Sequence, residues 1–294
     1  MSAAIMRVTE KGTMTYVSKP EDIAADGLGL SARFGLLGGG IAFSKSNDMY
    51  VVDEGAHSVR KISPRGDVST AAGVSNTEGM QNGPARAARF NAPTGLAINS
   101  ETGVIYISDS GNNLIREYDP RTNLVAIFAG TVGSSESRAG DALLEASFAM
   151  PGQLAFFHDP LGDTVYVLDC LSAHYTQSNN NELSSNPIPD VLVGVRNGIV
   201  VHLADRTKDD GRLLFSFFRT HSHVVVDGGT GAVYIADYWN KRIVRWTKAD
   251  GALLFFRNEG KPSRPSGLLF DAALGASLAT TPSLLVGGIN DVQQ

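Results

Sequence analysis

The stretch Phe90-Asn91-Ala92-Pro93-Thr94-Gly95-Leu96-Ala97, followed by Tyr106-Ile107-Ser108-Asp109-Ser110-Gly111-Asn112 and Leu114-Ile115-Arg116, decides the fold. Adding 128 to these numbers reaches Phe218, Tyr234-Ile235-Ala236-Asp237, Asn240 and Ile243 with no gap. Self-similarity at a period of roughly 40–50 residues marks stacked or radially arranged copies of one supersecondary unit.

Working outward, the anchors Phe34, Phe90, Phe148 and Phe218 each precede a short apolar run: Ile41-Ala42-Phe43, Leu96-Ala97-Ile98, Leu154-Ala155-Phe156 and Val224-Val225-Val226. A turn follows, and then a Tyr-containing strand that ends in Asp53, Asp109, Asp169 or Asp237. β-branched and aromatic residues bounded by turn residues read as strands. Third strands are expected at residues 59–62, 114–118, 198–203 and 242–246. Fourth strands are expected at 68–72, 124–128, 213–217 and 252–256. Four antiparallel strands per copy, with no helical periodicity, describe a propeller blade.

The termini complete the pattern. Ile5-Met6-Arg7-Val8 and Met14-Thr15-Tyr16-Val17 match third and fourth strands, whereas residues 267–270 and 283–290 match first and second strands. Pairing these half-blades would close a ring and hide two sheet edges. The expectation is therefore an all-β, single-domain propeller over residues 1–294. Its five four-stranded blades would lie near 31–73, 79–130, 139–217, 218–257, and 263–294 with 1–19. Six blades would require residues 148–217 to supply more than one.

Composition bounds the function. A net charge of −5 argues against a broad nucleic-acid footprint, so DNA is not expected. No apolar run approaches the roughly 18 residues of a membrane span. The first 19 residues carry no signal-peptide core. Cys170 is the only cysteine, so no internal disulfide can form, and a buried thiol in a cytoplasmic, intracellular protein is expected.

The pattern Ala88-x-Phe90-x-x-Pro93-x-Gly95-Leu96-Ala97, then Tyr106-Ile107-x-Asp109-x-x-Asn112, then Ile115-Arg116, resembles the NHL repeat family. That resemblance implies a propeller that serves as a protein-binding platform, as an RNA-binding surface or, in related propellers, as a metal-dependent lyase or lactonase.

Candidate residues follow from chemistry. Asp53, Asp109, Asp169 and Asp237 recur once per copy, as a structural acceptor of turn N–H groups would, and Asn112 and Asn240 share that turn. His221 and His223 stand where another copy has Pro93 and Gly95. Alternation puts both imidazoles on one strand face, a geometry that can hold zinc, although a catalytic zinc takes about three protein ligands. Tyr238 and Trp239, with Arg116 and Arg242, form a candidate binding patch that would suit stacking on RNA bases. The alternative for each repeat Arg is a bond to a neighbouring blade's carbonyls.

Long connections and an insertion at residues 171–195 fall on one face, where Ile188 could act as an apolar hook. Functional residues concentrate on loops held by a rigid scaffold. A non-enzymatic platform that binds a protein partner through this face, without a cofactor, is the leading expectation. A metal-dependent enzyme around His221 and His223 and an RNA-binding propeller are the alternatives.

Overall fold

The computed structural model describes residues 5–9, 12–17, 24–134, 136–170, 191–204, 223–237, 242–257, 264–271 and 283–289. Among these, the regular structure is β apart from two 3-10 turns, Gly29–Ser31 and Ser110–Asn112. The fold is that of β-propeller blades. The chain divides into two compact units, Met1–Ser134 and Ser135–Gln294.

The first unit holds two complete blades. Blade 1 runs Leu37–Phe43, Met49–Asp53, Ser58–Ile62 and Asp67–Ala72; blade 2 runs Pro93–Ile98, Ile105–Asp109, Leu114–Asp119 and Leu124–Ala129. The second unit holds blade 3 (Pro151–Phe157, Thr164–Asp169, Val191–Arg196 and Ile199–Ala204) and blade 4 (His223–Val226, Val233–Asp237, Arg242–Thr247 and Gly251–Arg257). The expected terminal half-blades are antiparallel hairpins. Ile5–Thr9 pairs with Gly12–Val17 in the first unit, and Arg264–Asp271 pairs with Ser283–Ile289 in the second.

Blades pack face to face because alternate strand residues point to opposite sides. Tyr50, Val52 and Val59 of blade 1 meet Phe90, Leu96, Ile107 and Tyr118 of blade 2. Tyr166, Leu168 and Leu192 of blade 3 meet Val224, Ile235 and Trp246 of blade 4, with Cys170 buried in the same cluster. Each fully buried large apolar side chain stabilises by about 1.5–3 kcal/mol.

Two expectations are corrected. The third strand of blade 3 is Val191–Arg196, inside the expected insertion, and the fourth is Ile199–Ala204, which carries His202. The run 213–217 lies outside the described residues. The cause is the turn Asn197-Gly198, where φ is 51° and 73°. Two successive left-handed residues make the two-residue hairpin turn that matches strand twist. The pairing of Arg196 with Ile199 confirms it. A Cβ at Gly198 would meet nothing within 4 Å, so backbone conformation alone sets the cost of adding one. Gly198→Ala is expected to cost about 1 kcal/mol, read from the urea unfolding midpoint.

The second correction concerns the connections. The lead-ins to blades 1, 2 and 3 each contribute a short fifth strand along the outer edge of the blade they enter. Gly27–Leu28, Gly83–Pro84 and Gly140–Asp141 pair with the fourth strands of blades 1, 2 and 3. The lead-in then crosses its own blade to reach the innermost strand. The dipeptide Gly83-Pro84 suits an edge because proline donates no ladder hydrogen bond.

Candidate functional site on the lead-in face

The crossing lead-ins need fastening, and the recurrent Asp and Arg supply it. In blade 2, Asp109 is fully buried. It accepts from the Asn91 amide at 2.7 Å, Asn112 Nδ2 at 2.9 Å and Arg116 Nη1 at 2.8 Å. Arg116 is itself 0% exposed and donates to the carbonyls of Arg89 and Gln81 and to Asn82 Oδ1. Its guanidinium lies over the Phe90 ring, 5.3 Å from the centroid. Burial pushes the Asp109 carboxyl above its ordinary value, opposed by Asn112, the Asn91 amide and Arg116; burial likewise lowers Arg116, opposed by Asp109.

Blade 1 repeats the constellation. Arg60 bonds Asp53, the Arg33 and Ala25 carbonyls and Asp26, and stacks over Phe34 at 5.0 Å. Asp53 accepts from the Gly35 amide at 3.0 Å. The aspartates thus staple the segment before the first strand onto the end of the second. Asp53 also accepts from the Ala56 amide in the turn that follows its strand. The Arg partners are carbonyls of the blade's own lead-in, not those of a neighbouring blade.

The later blades depart from this. In blade 3, Asp169 accepts from the amides of Ala149 and Met150, but Val193 stands at the Arg position. In blade 4, Arg242 Nε bonds Asp237 at 2.7 Å from two residues earlier on the strand. Arg116 and Arg242, the basic half of the expected RNA patch, are both buried in ion pairs with these aspartates.

The remaining candidates are placed as follows. Asn112 holds Asp109 and the Gly79 carbonyl through Nδ2. His223 opens its strand opposite Ala236, and burial lowers the pKa of its imidazole. His221, Tyr238, Trp239, Asn240 and Ile188 lie outside the described residues. Among the described residues, no three His, Cys, Asp or Glu side chains converge to share a metal ion. His57 Nδ1 accepts the Ala92 amide at 3.0 Å, and His158 pairs with Asp163 at 2.7 Å.

The lead-in face also carries a cleft that residue-by-residue reading does not reveal. It encloses about 550 Å³ and is lined by Ala24, Asp26, Thr70, Gly73, Val74, Ser75 and Arg86. These come from the lead-in to blade 1, its fourth strand and the connection to blade 2. Asp26 Oδ1 accepts from Arg60 and from Thr70 Oγ1, and Thr70 Oγ1 also lies 3.0 Å from Ser75 Oγ. Asp26 Oδ2 faces Arg86 at 3.7 Å, and the Arg86 side chain is 62% exposed. A carboxylate oxygen and a guanidinium therefore stand side by side at an open cleft. The signal in the sequence is Asp26-Gly27 recurring as Asn82-Gly83 and changing to Ala139-Gly140.

Comparisons with known proteins agree with this architecture. Residues 90–118 match the NHL repeat. NHL repeat-containing protein 2 of Bos taurus is 31% identical over 104 residues, 35% of this chain and 14% of that protein. The chain thus matches only a small part of this curated relative. A catalytically inactive virginiamycin B lyase from Staphylococcus aureus, solved with quinupristin, superposes with a TM-score of 0.51 at 12% identity, covering 91% of this chain and 67% of that one. A structure described as a putative gluconolactonase gives 0.51 at 13% identity, covering 85% and 71%. Likeness at such identities shows the fold alone. Residues 90–118 thus match an NHL repeat, and the repeated aromatic anchor, strand-ending Asp and following Arg make the chain similar to the NHL repeat family.

Proposed function

We propose that this chain is a protein-interaction platform that receives a partner protein on the lead-in face, centred on the Asp26–Arg86 cleft. One observation carries the reading: the repeated Asp–Arg pairs are consumed in fastening blades, whereas Arg86 stands exposed at a cleft, facing the second carboxylate oxygen of Asp26. Similarity to the NHL repeat family supports a protein-interaction role. A polar rim with exposed arginine suits a protein partner, since Arg is enriched in interfaces and their hot spots. The cleft offers a donor beside an acceptor, which complements a partner's backbone or side-chain amide.

No helix among the described residues is long and apolar enough to cross a membrane. A cytoplasmic setting remains part of the proposal and is supported by a lone, buried Cys170.

The test is affinity capture with the tagged chain and two charge reversals. Arg86→Glu should reduce capture of the wild-type partner about tenfold or more, since truncating a hot-spot side chain costs about 2 kcal/mol or more. Lys45→Glu should leave capture unchanged, because Lys45 sits in the turn between the first and second strands of blade 1, away from the fourth strand that lines the cleft, and pairs with Glu101. Equal capture by wild type and Arg86→Glu would refute the reading. The enzymatic alternative rests on His223, whose burial favours the neutral imidazole that metals bind. Metal analysis after dialysis tests it, and a stoichiometric Zn²⁺ would favour it.

A further inference from the structure

Blade 3 keeps the buried aspartate but lacks the arginine. Asp169 is 0% exposed, and the residue facing Val167 across the second and third strands is Val193, where blade 2 places Arg116 opposite Ile107. Opposite Val193, on the fourth strand, stands His202; the same place in blade 2 is Ile127, opposite Arg116. His202 Nε2 lies 3.2 Å from Ser137 Oγ, and Ser137 in turn bonds the Asp169 carboxylate. Ser137 belongs to the blade 3 lead-in, next to Arg138, whose amide and carbonyl pair with Ser147. The chain of contacts therefore runs from second strand to lead-in to fourth strand, where blades 1 and 2 use one guanidinium.

We propose that Ser137 and His202 form a protonation-dependent clamp that fastens the blade 3 lead-in to Asp169, in place of the permanent cation of blades 1 and 2.

The hydrogen bonds fix the roles. A carboxylate accepts only, so the Ser137 hydroxyl spends its hydrogen on Asp169, and His202 Nε2 must donate to Ser137 Oγ. An imidazolium in that place balances the buried carboxylate as Arg116 balances Asp109. A neutral imidazole keeps the hydrogen bond and leaves the carboxylate without a cation. Burial raises the Asp169 carboxyl, while Ser137, the amides of Ala149 and Met150, and the charge of His202 pull it down. Other charged groups on the packed elements are engaged elsewhere. Glu136 and Arg138 pair with each other at the surface, and Asp141 caps the amides of Leu143 and Leu144. The cluster is not a hydrolytic triad, because the carboxylate bonds the serine rather than orienting the imidazole.

The sign follows from linkage. A histidine that gains an acidic partner on folding lends stability that is present at low pH and is lost as pH rises through its folded value. Hydrogen exchange of the full chain, corrected for intrinsic rates, tests this at about pH 5.5 and about pH 8, either side of the ordinary imidazole range. The amides of Arg138 and Ser147 should lose about tenfold in protection on going to the higher pH. Between a titrating group's unfolded and folded values, each pH step of one changes the closed-to-open ratio by up to about a factor of ten. The Arg89 amide, bonded to the Gln81 carbonyl beside Arg116, is the internal control and should stay flat. Val193→Arg with His202→Ile installs blade 2's residues and should flatten the blade 3 response. Equal pH responses of the two segments in the wild type, or an unchanged response in a folded double variant, would overturn the clamp. The wild-type comparison decides even if the variant does not fold.

Discussion

Arg116→Met is expected to lower the unfolding free energy by about 3–5 kcal/mol, the usual result of removing one partner from a buried ion pair. Methionine keeps most of the apolar stem over Phe90 and cannot reach the Arg89 and Gln81 carbonyls or Asp109. Asp109 is then a buried carboxylate held by Asn112 and one amide. Its carboxyl, already raised by burial, rises further. A raised carboxyl means that the native state holds more protons than the unfolded chain in the window above the unfolded carboxylate value. Stability therefore falls as pH rises through that window. The deficit of Arg116→Met should be smallest near about pH 4 and largest at neutral pH, where no unfolded carboxyl is protonated. Adding Asp109→Asn should recover part of it, because the double variant buries no uncompensated charge. An exposed pair such as Arg121–Asp119 should matter little, about 0–1 kcal/mol.

The second large effect is Gly40→Val, expected to cost about 3 kcal/mol or more. Here the innermost strands of blades 1 and 2 meet with almost no space. A Cβ at Gly40 would lie 2.4 Å from the Leu96 amide nitrogen and 2.9 Å from the Gly95 carbonyl carbon. Both are backbone atoms of a strand pinned by its own ladder, so neither can swing aside as a side chain end would. Gly228 is the contrast: a Cβ there would meet nothing within 4 Å, and its φ lies outside the left-handed region. Gly228→Ala should stay within about 0.5 kcal/mol, and urea unfolding of the two variants separates contact from propensity.

These expectations separate the parts of the molecule that are legible in the chain from those that are not. Strands such as Ile105–Asp109 announce themselves because β-branched residues and Tyr106 alternate across a packed blade and Asp109 stops the run. Blade 3 misleads because Val191 to Leu203 is apolar almost throughout, and its only break, Asn197-Gly198, merges into a strand. The fifth strands are hidden because two residues, one of them glycine, carry no periodic signal. Arg116 looks like a surface cation because its partners lie 27 and 35 residues back. The shared spacing of seven between Asp53 and Arg60, and between Asp109 and Arg116, is the trace of the buried pair. The cleft needs tertiary structure, since Asp26, Thr70 and Arg86 are distant in sequence. Its residues belong to segments in which the copies disagree, as do Ser137, Val193 and His202.

Stability and partner capture of Arg116→Met and Arg86→Glu, measured side by side on the same preparations, test most directly the claim that recurrent repeat charges fasten the fold and divergent lead-in charges bind. The expected result is a large loss of unfolding free energy for Arg116→Met, with capture by its folded fraction retained, and the reverse for Arg86→Glu. Lost capture by folded Arg116→Met, together with full capture by Arg86→Glu, would contradict it.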